Sequence, residues 1–531
     1  VCRYNIGHYH YDNKVSYDTS DSSSSLNMNS AAARSWIQRL FGIDPRSLAI
    51  FRMAIGTVLL CDLWIRSADL EAMYTDTGMF PREFIAKYFP SAWSWSFHYA
   101  SGSVVFQGVL FFLAAVFAVM MLVGYQTRWA TVSSWLMLVS IQNRVPPIQN
   151  GADNLMTVLM FWAMFLPLGQ LWSVDAWKAS RRDPSRSNLE PVVSPAAVAI
   201  MLQMAMMYFF SAIFKTNPDW LEGRAIAASL THDFYAKPTR ANFALQFPTL
   251  LYVATIYVLV LEWVGPLLLF SPWRTGWLRL IAAVALATMH LGIDATMMVG
   301  MFSYTSIAGL TLFIPEQFWQ LSWVQKILPA SDATGSGSWE SHLNKSASIG
   351  WSRVESVSQA FVTFCLVYVI AVNINGLPGI PLGFLQLNKW EPLWTAFGLG
   401  QKWSMFEGIP SRDGWYVARA RLQDGSEIDL LRQGQPVNWS QPEFPAEVFP
   451  NDRWRKFFRE MTYFDQLGYQ RYREPTAEFL ARRWNATAPA DKQVTECDFI
   501  FCMLDDYRRD GNSVPEILRE RLVHVDLIED E

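Results

Sequence analysis

Charge and cysteine are both scarce in this chain. Only 17% of its 531 residues are charged and five are cysteine, whereas 51% are hydrophobic. A net charge of −4 at this length gives no electrostatic reason to expect nucleic acid as a partner. Cys61 and Cys365 lie in apolar runs, where cysteine is a small buried residue. Cys497 and Cys502 share a short segment and could pair if it faces an oxidising compartment, but they lack the four-ligand spacing of structural zinc. The sequence shows no phosphate-binding glycine loop, internal repeat or metal-ligand cluster, so no metal is expected. Residues 1–30 hold no apolar h-region, which excludes an ordinary cleaved signal peptide. Their Ser, Asn, Asp and Tyr content reads as disorder up to residue 33. The chain begins with Val1, and Met28 stands just before recognisable structure, so an overextended gene start is one expectation.

Apolar runs are abundant. They fall at 48–65, 104–123, 130–141, 155–171, 195–214, 250–270, 278–290, 297–314 and 357–372, with the seventh and eighth divided at 292–294. Runs near twenty residues cross the hydrocarbon core, so the pattern predicts a mainly α polytopic membrane protein with about nine transmembrane helices over residues 34–376. Twenty-four tryptophans suit interfacial aromatic belts. With the N-terminus inside, thirteen basic residues near helix ends fall on the inner side and eight on the outer. Lys215 and the C-terminal domain are then outside. Residues 330–352 are Gly/Ser-rich and read as a flexible inner loop. From 388 to 531 the chain turns polar: 415–431 alternates around Asp424-Gly425, a two-residue hairpin signal, and 454–461 and 476–484 are helical. This predicts a small outer α+β domain.

Residues 208–223, YFFSAIFKTNPDWLEG, concentrate the chemistry. Ser194-Pro195 is a good helix start, and about twenty apolar residues later Lys215 emerges at the far interface. Two readings stand. A snorkelling lysine lays its stem on apolar surface and sends its amine to the headgroups. A desolvated lysine is a base near neutral pH, and Tyr208, Phe209, Phe210, Phe214 and Trp220 could supply the apolar setting. His290 and Asp294 stand four apart, as expected of a hydrogen-bonded pair on one helix face. Glu262, with Pro266 just beyond it, and Asp62 are further ionisable groups at membrane depth, where such groups face the bundle interior.

Several stretches together resemble the vitamin K-dependent γ-glutamyl carboxylases and their bacterial relatives, the horizontally transferred transmembrane (HTTM) domain proteins. They are 47–66 (SLAIFRMAIGTVLLCDLWIR) continuing to Met79-Phe80-Pro81-Arg82, then 171–175 (LWSVD), 208–223, and 289–304 (MHLGIDATMMVGMFSY). Residues 403–431 and 451–484 are similar to the start of the family's outer domain. The resemblance covers roughly residues 40–485. In the carboxylases the lysine matching Lys215 deprotonates reduced vitamin K. Oxygen then adds, the strong base so formed takes a proton from a glutamate γ-carbon, carbon dioxide adds, and the quinone leaves as its epoxide. The resemblance therefore implies a lyase-type membrane enzyme with Lys215 as base and His290 in support. It also implies a reduced, vitamin K-like hydroquinone held near Gln170, Trp220, Met301 and Phe302. Membrane lipid, the lipid-soluble quinone and a protein or peptide substrate are the implied partners, in a bacterial inner membrane.

Two departures narrow this. The family enzyme has a histidine where this chain has Gln170, and glutamine does not transfer protons near neutral pH. The chain also ends soon after the outer-domain motifs, without the long portion by which the animal enzyme engages protein substrates. Both weigh against peptide carboxylation. A non-catalytic membrane scaffold that keeps the fold is the alternative. A transporter is less favoured, since no paired halves with interrupted helices are visible.

Overall fold

The computed structural model describes residues 36–88, 93–183, 190–232, 235–327, 353–377, 387–408, 414–463, 468–504 and 517–527. The polar start and the Gly/Ser-rich loop at 330–352 lie outside these residues.

The protein is mostly helical. In chain order the main helices are α1 (Pro45–Ser67), α2 (Val104–Val123), α3 (Thr127–Arg144), α4 (Gly151–Ala163), α5 (Pro195–Phe214), α6 (Pro248–Leu269), α7 (Thr275–Thr296), α8 (Phe302–Leu310) and α9 (Arg353–Asn375). Local chemistry starts and stops them. Asp44 caps α1, accepting from Arg46 N at 2.8 Å, with Pro45 in the first turn. Ser194 caps α5 in the same way, and Asn150 with Asp153 forms a capping box on α4. Gly124 ends α2 at φ 71°, and a side chain there would strike Arg52 and Ser173.

Among the described residues six helices are long and apolar enough to cross a membrane: α1, α2, α5, α6, α7 and the Ser356–Asn375 part of α9. The other three expected spans, α3, α4 and α8, differ for a physical reason. They are largely buried by neighbouring helices, so they need be neither long nor uniformly apolar. Ser134, Ser140, Gln142 and Arg144 of α3 are buried polar residues. The thirteen residues of α4 rise only about 20 Å, because Pro167 lacks the N–H that would continue the helix. The expected division at 292–294 is displaced. Helix α7 continues to Thr296, and the break falls before α8, with Gly300 at φ 58°.

The C-terminal domain is a five-stranded antiparallel sheet of order β3-β2-β1-β4-β5, made from β1 (Gly414–Leu422), β2 (Glu427–Asp429), β3 (Gln435–Pro436), β4 (Val494–Leu504) and β5 (Ile517–Asp526). The β1–β2 hairpin turns at Asp424-Gly425, with Gly425 at φ 83°. Helices α10 (Asp452–Tyr463) and α11 (Arg473–Asn485) accompany the sheet. One aromatic core joins this domain to the bundle: Phe80 lies 4.7 Å from Phe457 and 5.1 Å from Tyr472 between ring centres.

Cys497 and Cys502 do not pair. They stand five apart on β4, an odd spacing that points their side chains to opposite faces of the sheet. Cys497 packs with Ala477 and Ala481 of α11, and Cys502 with Trp415 and Val417 on the other face. Burial pushes the Cys497 thiol up to about 12 and the Cys502 thiol up to about 11. Both thiols should therefore stay free in oxidising buffer and resist iodoacetamide until the domain is denatured. Mass spectrometry of alkylated peptides checks this, and a 497–502 disulfide would overturn it.

Candidate active site

Lys215 is the last residue held by α5. Its N–H bonds Ala212 O at 3.1 Å, its φ and ψ of −85° and 58° leave the helix, and Asn217-Pro218 then starts the short helix Pro218–Leu221. That exit turns the side chain inward. The lysine is only 3% exposed, so the amine does not reach out as a snorkelling anchor would. Its Nζ donates to Ser211 Oγ at 2.8 Å, pairs with Glu262 of α6, and lies 4.9 Å from the centre of the Trp220 ring.

The D-W-x-E-G segment builds this arrangement rather than supplying reactive groups. Asn217 Oδ1 accepts from Trp220 N at 3.1 Å, which fixes the indole over the amine. Trp220 Nε1 donates to Phe406 O at 2.8 Å, and Asn217 Nδ2 to Glu407 O at 2.6 Å, tying residues 403–408 over the site. Asp219 and Glu222 pair outward with Arg224. Gly223, at φ 75°, lies so near Tyr252 that any side chain would overlap its ring.

His290 of α7 faces the same pocket. Its Nε2 is 2.9 Å from the Tyr208 hydroxyl, its ring meets Phe302 edge-on at 5.5 Å, and its buried Nδ1 has no partner among the described residues. The expected His290–Asp294 pair does not form. Asp294 instead accepts from Tyr304 OH at 2.9 Å and sits 3.5 Å from Lys237, because its side chain lies at the bundle surface. A cavity of about 20 Å³ lies among Tyr208, Ser211, Glu262, His290, Phe302 and Phe406. Beyond Trp220, Phe302, Met405 and Phe406 opens a second cavity of about 710 Å³, beneath the C-terminal domain, with Lys402, Arg455, Lys456 and Arg459 among its walls.

Of the sequence-derived site residues, the fold gathers Lys215, Trp220, His290 and Phe302. Met301 caps α8 and packs partly buried against the bundle core, outside both cavity linings. Gln170 is elsewhere. It lies in the turn after α4, beside Ser173 and the α3 start, whereas the site is at the end where α4 begins and α5 finishes. A 20-residue helix such as α5 separates these ends by about 30 Å, so Gln170 cannot touch a ligand at Lys215. Glu262 and Tyr208 complete the site; the sequence marks Glu262 as an ionisable group at membrane depth and Tyr208 as part of an apolar setting, and neither as a partner.

The other resembling motifs hold the fold together. Arg66 and Asp62 of α1, Asp153 of α4 and Arg453 of α10 form a buried four-charge cluster. Arg453 reaches Asp62 at 2.6 Å and Asp153 at 2.9 Å, and Arg66 reaches the same two carboxylates at 2.6 and 2.5 Å. Asn451 and Trp454 add bonds to Asp69. Among the described residues, no group of three or more His, Cys, Asp or Glu is arranged to hold a metal ion.

"Sporulation-delaying protein SdpB" of Bacillus subtilis (strain 168) is 23% identical over 180 residues, which are 34% of this chain. The chain spans about half (53%) of that relative's length. No solved structure matches. Residues 42–319, more than half of the chain, match the family model of the HTTM domain. Helices α1 to α8, and with them Lys215, Glu262 and His290, fall inside that match, and the chain belongs to the HTTM domain family.

Proposed function

We propose that this protein is a membrane enzyme acting on a lipid-soluble hydroquinone, with Lys215 as its base. One observation carries the reading: a buried amine is paired with Glu262, whose side chain lines a pocket together with His290, and His290 Nδ1 has no partner among the described residues. A buried polar atom left unpaired costs about 1–3 kcal/mol, which a ligand hydroxyl would relieve. An anchoring lysine needs none of this.

The pocket's chemistry fits such a hydroxyl. A cavity near 20 Å³ admits one water-sized group, so it takes the hydroxyl and leaves the ring beyond Phe302 and Phe406. Bound there, a hydroquinone would supply an acidic hydroxyl and two electrons, with dioxygen as the acceptor that the family resemblance implies. Lys215 takes the proton, and Glu262 sets the amine's position and shares its proton. Tyr208 occupies His290 Nε2 and so aims Nδ1 at the ligand. Trp220 covers the amine and keeps water from it. A protein or peptide substrate would approach through the larger cavity. Taken with nine crossings of a bacterial inner membrane, the basic-residue bias supports the N-terminus inside and this cavity outside.

A non-catalytic scaffold is the second reading, because the same ion pair also clamps α5 to α6. Hydroquinone oxidation by the purified protein in air-saturated detergent solution, with dioxygen as the electron acceptor, separates the two. The enzyme reading expects turnover that Lys215→Ala abolishes. A wild-type protein that neither binds nor oxidises any hydroquinone leaves only the scaffold.

A further inference from the structure

Between α4 and α5 the chain forms a helix, Val174–Arg182, in which no residue is buried. It is nevertheless fixed in place. The Ser173 hydroxyl accepts from Ala176 N at 2.8 Å, and Asp175 accepts from Gln126 N at 3.0 Å and from Thr127 N at 2.7 Å. These bonds hold the helix start against the turn joining two membrane-depth helices, α2 and α3. Two indoles are exposed at this bundle end: Trp129 is 71% exposed and Trp177 54%. Three cations, Lys178, Arg181 and Arg182, follow Trp177 on the helix, and Asp183 is the one acid directly after them. The Lys178 amine lies 4.3 Å from the Tyr125 ring centre, and the Arg181 guanidinium 4.1 Å from that of Trp177.

A helix facing only water gains nothing from exposed indoles. In the headgroup layer the indoles sit at the acyl boundary and the cations meet phosphates. We propose that Val174–Arg182 is a binding surface for anionic phospholipid, lying in the headgroup plane at the bundle end opposite Lys215. Two of its three cations, Lys178 and Arg181, are already folded onto aromatic rings at the level of a helix end, so they reach phosphate without reordering the bundle. This surface is independent of the chemistry at Lys215.

The test is native mass spectrometry of the full chain, released from detergent with phosphatidylglycerol or phosphatidylcholine of matched acyl chains. Wild type should retain phosphatidylglycerol preferentially. Each cation near an anionic surface contributes about fivefold in affinity, so the triple variant Lys178→Gln, Arg181→Gln, Arg182→Gln should lose at least about tenfold for phosphatidylglycerol and little for phosphatidylcholine. Trp177→Ser should weaken both lipids. The single variant Arg181→Gln repeats the charge test if the triple variant expresses poorly. An unchanged preference in the charge variants overturns the proposal, as does equal displacement of the lipid by inorganic phosphate, which would indicate a free-anion site.

Discussion

Replacing Arg453 with methionine should loosen the C-terminal domain from the bundle more than any other single change at that junction. Two arginines and two aspartates are buried there together, every side chain at most 3% exposed. Removing Arg453 leaves Asp62 and Asp153 sharing Arg66 alone, with one negative charge uncompensated away from water. Breaking a buried pair this way costs about 3–5 kcal/mol, whereas a surface substitution costs within about 0.5 kcal/mol. Thermal unfolding in detergent, followed by tryptophan fluorescence, should then resolve an early transition for the C-terminal domain. Adding Asp153→Asn to Arg453→Met restores neutrality and should recover part of the loss. A single variant that melts like wild type would show that the aromatic contacts of Phe80 with Phe457 and Tyr472 suffice to dock the domain.

The same cluster shows what one sequence can and cannot convey. Asp62 was legible as an ionisable group inside an apolar run, and such groups face the interior. Its partner Arg453 lies 391 residues away, and nothing in local spacing ties the two. Lys215 and Glu262, 47 residues apart, are alike in this respect, as are Tyr208 and His290, 82 apart. Helices α2 and α5 were readable to the residue, because apolar length and capping act locally. Helices α3, α4 and α8 were legible as segments but not in length, since burial by neighbours relaxes the demands that lipid makes on a span. Gln170 shows the opposite error. Position in a motif suggested a ligand contact, while the fold turns that loop to the far end of the bundle. The hairpin at Asp424-Gly425 and both C-terminal helices were readable because turn chemistry and amphipathic period are local signals.

Lys215→Met is expected to have two separable effects, and the separation decides the lysine's role. Loss of a positioned proton acceptor should lower hydroquinone oxidation by about 10²–10⁴-fold. The same change strands the Glu262 carboxylate, which is 6% exposed, without its cation and should destabilise the bundle by about 3–5 kcal/mol. A lost rate in this variant alone would therefore not distinguish a base from a clamp. The double variant Lys215→Met, Glu262→Met does. Replacing both charges by apolar chains of similar volume should return the melting transition close to wild type, because buried ion pairs rarely outperform good apolar packing. The rate should stay lost. A double variant that is both stable and fully active would remove Lys215 from the chemistry. Glu262→Gln adds the converse arm: the amine survives without its carboxylate, so a base role predicts an altered pH profile of turnover, while a pure clamp predicts a change in melting alone.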